Sequence, residues 1–280
     1  MNGGEQIKTL VCGKGGCGKS TVVALLAKEM AARGNKVLVI DSDESNIGLH
    51  GRLGVEKPTD FMNYFGGKRL LFEQTKEMKK EWELDDLPRD YLAEKGNMQL
   101  LSMGKIYQFG GGCACPISVL SSKFLEVIDL REREFLIADT DAGIEHFGRR
   151  AETGVDLLLV VVDPSHESIL LAKKISELGQ QVDKPVYYVL NRIADRETKE
   201  FLLNSVDREK VIGIIPENKE IFMSGLTGGE LGLDFEGIKE IADMLESNKK
   251  GAVETYKTVS GRWPYSGRSK WIRSAGTLEK

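Results

Sequence analysis

Residues 13–21 read GKGGCGKST, with the apolar run IKTLVC (7–12) before them and the helically spaced VVALLAKEMAARG (22–34) after them. A strand, a glycine-rich turn closing on Lys-Ser-Thr and a helix together form the phosphate-loop pattern G-x-x-x-x-G-K-[ST]. Successive backbone N–H groups in such a turn, backed by a helix N-terminus carrying roughly +0.5 charge, make a concave anion site. Gly13, Gly15, Gly16 and Gly18 let the chain close around phosphates, while Cys17 is read as a packing residue inside the loop. The pattern places Lys19 on the β- and γ-phosphates of ATP and offers the Ser20 hydroxyl to Mg²⁺, with Thr21 completing the motif.

The same alternation of strand and helix continues on both sides of the loop. Short β-branched runs recur at 36–41 (KVLVID), 98–104 (MQLLSMG), 134–140 (EFLIADT), 156–163 (DLLLVVVD), 185–191 (PVYYVLN) and 210–216 (KVIGIIP). Several are apolar on consecutive residues, as strands buried on both faces of a parallel sheet are. Helical patterns such as SHESILLAKKISELG (165–179) lie between them, so right-handed βαβ units and a doubly wound α/β sheet with helices on both faces are expected. Residues 1–250 are read as one domain, with 56–97 a charged helical insertion covering one edge.

With 280 residues, 41% of them hydrophobic, the chain can bury a large core. A formal charge of −4 gives no electrostatic reason to expect nucleic acid as a partner. No stretch is long and apolar enough to span a bilayer, and the N-terminus reads as a strand rather than a signal peptide, so a cytoplasmic protein with no membrane partner is expected. The thiols Cys12, Cys17, Cys113 and Cys115 are then candidates for metal binding or plain burial, and Cys12, at the end of an apolar run, reads as a small buried hydrophobe. Residues 251–280 are basic and hold Trp263 and Trp271. They read either as a tail without fixed structure or as a strip that touches a membrane or partner protein.

A phosphate loop needs one lysine for its own nucleotide, yet Lys14 follows the first glycine. This second lysine resembles the signature lysine of the deviant Walker A ATPases, which include the nitrogenase iron protein and the division-site, partition and metal-insertion ATPases. The resemblance implies the SIMIBI type of P-loop NTPase and an ATP-bound homodimer in which Lys14 reaches the partner's nucleotide. It also assigns roles further along. In VLVIDSDESN (37–46), Asp43 would orient the attacking water; in FLIADTDAG (135–143), Asp139 would hold Mg²⁺ through water and Gly143 would bring an N–H near the γ-phosphate. Asn191 in YYVLNRI would recognise adenine, and Pro216 in IGIIPEN would wall the base pocket. Lys14, Lys19 and Asp43 are thus the expected catalytic residues of a Mg²⁺-dependent ATPase.

The stretch FGGGCACPISVL (109–120) reads as half of a candidate metal site. Residues i and i+2 of an extended segment point to one side, so Cys113 and Cys115 could present both sulfurs together, with Pro116 opening a helix. Across a twofold axis two thiols become four, enough for Zn²⁺, Ni²⁺ or an iron–sulfur cluster. Two reduced cysteines without a ligand remain the alternative. GGGCACP followed by IADTDAGIEHFGRR resembles the CO dehydrogenase maturation ATPases (CooC type) and their acetyl-CoA synthase counterparts. The resemblance implies nickel insertion into CO dehydrogenase or acetyl-CoA synthase, with Cys113 and Cys115 holding Ni²⁺ or Zn²⁺ at the dimer interface. Two other readings stay open: a positioning ATPase that switches membrane or partner binding, and an electron-transfer ATPase with a bridging cluster. Glu145 and His146 follow Gly143, and His146 reads either as a structural residue that orients the loop or as an auxiliary ligand or pH-sensitive contact.

Overall fold

A computed structural model describes residues 6–67, 70–71, 78–105, 115–143, 151–232 and 234–247. Every apolar run named above forms a strand: β1 (Ile7–Gly13), β2 (Lys36–Asp41), β4 (Met98–Ser102), β5 (Glu134–Asp139), β6 (Leu157–Val162), β7 (Val186–Ile193) and β8 (Val211–Pro216). With β3 (Leu92–Lys95) they make one eight-stranded sheet in the order β3-β4-β2-β5-β1-β6-β7-β8, parallel except for the β3–β4 pair. The central strands β5 and β6 are buried at every position, which is why their sequences are apolar without alternation.

Helices cover both faces. On one lie α1 (Lys19–Ala32), α2 (Leu49–Leu53) and α7 (Glu236–Ser247), which pack Leu26, Leu53 and Ile241 with the strand residues Val11, Val39 and Val161. On the other lie α3 (Cys115–Val127), α4 (His166–Gln181) and α5 (Arg196–Ser205), which pack Phe124, Ile175 and Leu202 with Leu10, Leu38 and Leu158. Helix α6 (Lys219–Thr227) follows β8. The sheet is therefore doubly wound, and β1 and β5 deliver their C-terminal ends, Gly13 and Asp139, to one rim. Ligands of such sheets bind at that rim.

Residues 68–69 and 72–77 of the insertion lie outside the described residues, and the rest differs from expectation. Its described residues form 3₁₀ turns at Phe61–Phe65, Leu84–Asp86 and Arg89–Tyr91, then the strand β3, rather than a run of helix. Packing replaces periodicity as the organising force: Phe61 is fully buried and its ring meets those of Phe65, Trp82, Tyr91 and Phe124 at 5.3–6.1 Å, edge to face. Strand β3 turns back on β4 through Gly96, at φ 58°, and Asn97. Among the described residues, no helix is long and apolar enough to cross a membrane.

Candidate nucleotide site

At the rim, β1 ends in Gly13 and the loop turns through Gly16 and Gly18, both in the left-handed region at φ 77° and 102°. A Cβ on Gly18 would stand 2.2 Å from the Asn191 amide nitrogen, so glycine is required there twice over. Helix α1 begins at Lys19 with no acidic residue in its first turn, leaving the positive end of its dipole uncompensated. Lys19 is buried and its ammonium donates to the carbonyls of Gly13 and Lys14, both at 3.3 Å. Thr21 is buried behind the loop, its N–H on the Gly18 carbonyl at 3.1 Å. Gly15 meets Ala142, which lies beside Gly143, with 3.4 Å between its would-be Cβ and that of the alanine.

Ser20 joins three strands' worth of chemistry. Its hydroxyl donates to Asp139 Oδ2 at 2.6 Å and accepts from the Asn46 amide at 2.7 Å. Asp139 is fully buried, and its neighbour in the β2–β5 register is Asp41. Burial pushes the Asp139 carboxyl up to about 6 against the opposing Ser20 hydrogen bond and Lys19 charge. Burial likewise raises Asp41 to about 7, opposed by the Lys105 ammonium and aided by the charges of Asp139 and Asp43. One oxygen of each carboxylate is buried without a hydrogen-bond partner. Buried carboxylate oxygens beside a serine hydroxyl and a phosphate loop fit Mg²⁺, which keeps several waters and takes only one or two protein ligands. Ser20 and Asp139 would hold it. Among the described residues no group of three or more His, Cys, Asp or Glu side chains is placed to hold a metal ion by itself.

The remaining predicted residues converge on the same rim. Asp43 Oδ1 accepts from Ser45 N at 2.9 Å, Ser45 Oγ at 2.6 Å and Asn46 N at 3.1 Å, so its carboxylate organises its own loop. The Gly143 N–H donates to the Gly13 carbonyl at 3.3 Å, with Gly143 at φ 97°. Asn191 is buried, and its amide donates to the Cys17 carbonyl at 2.7 Å, bracing the loop from the end of β7. Pro216 closes β8 opposite Ile193. Lys14 rests in its own chain: its ammonium donates to Ser165 Oγ at 2.9 Å and stands 3.8 Å from Asp163. Cys12 and Cys17 are fully buried and in no disulfide, Cys17 pushed up to about 11 by burial and Cys12 higher still, so both are packing residues.

Cys115 is the first residue of α3, with Pro116 in the first turn as anticipated, while Cys113 lies outside the described residues. Glu145, His146 and the segment 251–280 lie outside them too. Downstream, α3 does feed β5 and Asp139. Its Ser118, Ser121, Ser122 and Leu125 share a small cleft with Ser42 from the β2 loop and Thr140 and Asp141 from the β5 loop. Sequence reasoning missed Lys105, Asn46 and the Ser165–Asp163 rest for Lys14. Only Asn46, adjacent to the Asp43 motif, carried a signal.

Residues 8–230 match the model of the CobQ/CobB/MinD/ParA nucleotide binding domain. An uncharacterised ATP-binding protein of Methanocaldococcus jannaschii is 48% identical over 85% of this chain and 99% of its own length. The carbon monoxide dehydrogenase accessory protein CooC of Rhodospirillum rubrum is 32% identical over 77% of this chain and 85% of its own. The solved structure of the septum site-determining protein MinD with Mg-ADP from Pyrococcus horikoshii shares the fold, with a TM-score of 0.63 at 16% identity over 86% of this chain and 96% of that one.

Proposed function

Since the chain belongs to the CobQ/CobB/MinD/ParA nucleotide-binding family, we propose that it is an ATP-hydrolysing metallochaperone that works as a homodimer and assists nickel insertion into CO dehydrogenase or acetyl-CoA synthase. The observation that carries the reading is the seat of α3: the helix that begins at Cys115 lines, with Ser118, Ser121 and Ser122, a small cleft it shares with Ser42, Thr140 and Asp141 of the loops that flank the Ser20–Asp139 pair. The 32% identity to a carbon monoxide dehydrogenase accessory protein supports the same assignment.

On this reading the loop N–H groups and the α1 N-terminus hold the β- and γ-phosphates, and Lys19 exchanges its two loop carbonyls for phosphate oxygens. Gly143 releases the Gly13 carbonyl and turns its N–H to the γ-phosphate. Bound Mg²⁺ supplies charge neutralisation at the phosphates. Asp43 orients the attacking water, Asn191 and Pro216 face the adenine, and Lys14 leaves Ser165 for the partner's nucleotide. Hydrolysis then depends on association and acts as a timer. Cys113 and Cys115 of two copies take Ni²⁺ or Zn²⁺ as cargo, released when the loops around Asp139 shift.

Elemental analysis of anaerobically purified protein, with light scattering before and after Zn²⁺ or Ni²⁺, tests the reading. One metal per two chains is expected, lost in Cys113→Ser/Cys115→Ser while nucleotide binding survives. A chain that stays monomeric with nickel, zinc and a non-hydrolysable triphosphate together overturns it. Brown protein after anaerobic iron–sulfur reconstitution would favour electron transfer instead, and lipid sedimentation that needs residues 251–280 would favour a positioning ATPase.

A further inference from the structure

Lys105 lies directly after the strand β4 and its extension, and only 3% of its side chain is exposed. A buried ammonium persists only when its three donors are occupied or its charge is paired. Here it meets Asp41 Oδ2 at 2.7 Å and donates to the main-chain carbonyl of Asp43. Its own backbone is pinned from the opposite side. The Lys105 N–H donates to Asp60 Oδ2 at 3.2 Å, and Asp60, itself buried, accepts from Ser102 Oγ at 2.9 Å with its other oxygen. Two residues earlier, the Met103 N–H donates to the Asp41 carbonyl and the Met103 carbonyl accepts from Met62 N.

Lys105 is thus a strut with two fixed ends. One end is the body of the protein through Asp60, and the other is the Asp41–Asp43 loop. We propose that Lys105 is a positioning residue that sets the main chain of Asp43, the residue that orients the attacking water, a role that rests on the function proposed above.

The physical reason is the scarcity of substitutes. If the Asp43 carbonyl moves during turnover, the ammonium must follow it or be left in a dry site with Asp41 alone. Holding the ammonium between Asp41 and that carbonyl therefore holds the Asp43 main chain in place, which a lysine that merely filled space would not do.

The test compares wild type, Lys105→Met and the charge-balanced Asp41→Asn/Lys105→Met, which keeps the measurement possible if the lone carboxylate of the single variant prevents folding. ATP turnover and fluorescent-nucleotide affinity are measured together. The variants are expected to lose kcat by about 10- to 100-fold, the range that misplacement of a reacting group by an ångström produces, while nucleotide affinity changes little. Variants that keep the kcat of wild type, or that lose nucleotide affinity in step with kcat as a merely structural defect would, overturn the proposal. A wild type that turns over no ATP would instead sink the function proposed above, and the proposal with it.

Discussion

Asp139→Asn is expected to stabilise the metal-free protein while abolishing its response to Mg²⁺. Asp139 is fully buried, and its carboxyl rises from 3.8 to about 6, chiefly by burial. At about 1.4 kcal/mol per unit, ionising it in the folded state costs about 3 kcal/mol. Because the folded value is raised, the penalty is absent below the unfolded value of 3.8, about half present at pH 5 and complete above about pH 6. Wild-type stability without metal therefore falls as pH rises across that interval, and Asp41, lifted to about 7, extends the fall. An asparagine removes the charge, and its amide oxygen can still accept from Ser20. It also relieves Asp41 of a neighbouring negative charge.

At roughly 2–4 °C per kcal/mol for a domain of this size, the variant in EDTA should melt about 6–12 °C above wild type at pH 7.5, and by about half that at pH 5. Adding Mg²⁺ and ADP should reverse the order, since only wild type retains the carboxylate, and its gain should be larger at pH 7.5 than at pH 5. Thermal unfolding by circular dichroism at the two pH values, with and without Mg²⁺–ADP, reads all of this. A variant that melts below wild type in EDTA at pH 7.5, or a difference that does not change with pH, refutes the reasoning.

Three further outcomes follow from the geometry. Gly18→Ala forces a Cβ onto the Asn191 amide at a φ that L-residues avoid, so nucleotide binding, measured by fluorescent-nucleotide titration, should be lost, and Asn191→Ala in the same background should not restore it, because φ 102° remains. Phe61→Ala removes the hub of the aromatic cluster and should cost about 3–5 kcal/mol, read as an earlier urea midpoint. Iodoacetamide applied to the native protein should leave Cys12 and Cys17 unmodified by mass spectrometry, because burial keeps both as thiols, and should reach them after unfolding.

The sheet and its helices were legible because buried parallel strands must be apolar on consecutive residues, and each of those runs became a strand. The phosphate loop was legible because its chemistry needs glycines, Lys19 and Ser20 at fixed offsets. The insertion was not. LAEK (92–95) is too short and polar to announce a strand, and β3 exists only because the turn at Gly96 folds it onto β4. Lys105 was invisible for a different reason: a lone lysine after a strand ordinarily points to solvent, and only the fold reveals two loops closing over it. The rest for Lys14 likewise depends on β6 ending beside β1, a neighbour relation that no local pattern encodes.

The short hairpin of β3 and β4 has a consequence for anyone trimming the molecule. Without β3, the outer rail of β4 would offer unpaired main-chain donors and acceptors beside the apolar side chains of Met98, Leu100 and Leu101, an invitation to strand exchange between molecules. With it, the rim shows Glu94 and Lys95 to water, and Lys95 is clasped by Glu230. Strand β3 thus serves as a bumper against fibrous association, and removing it should cost solubility before it costs any grip on phosphate.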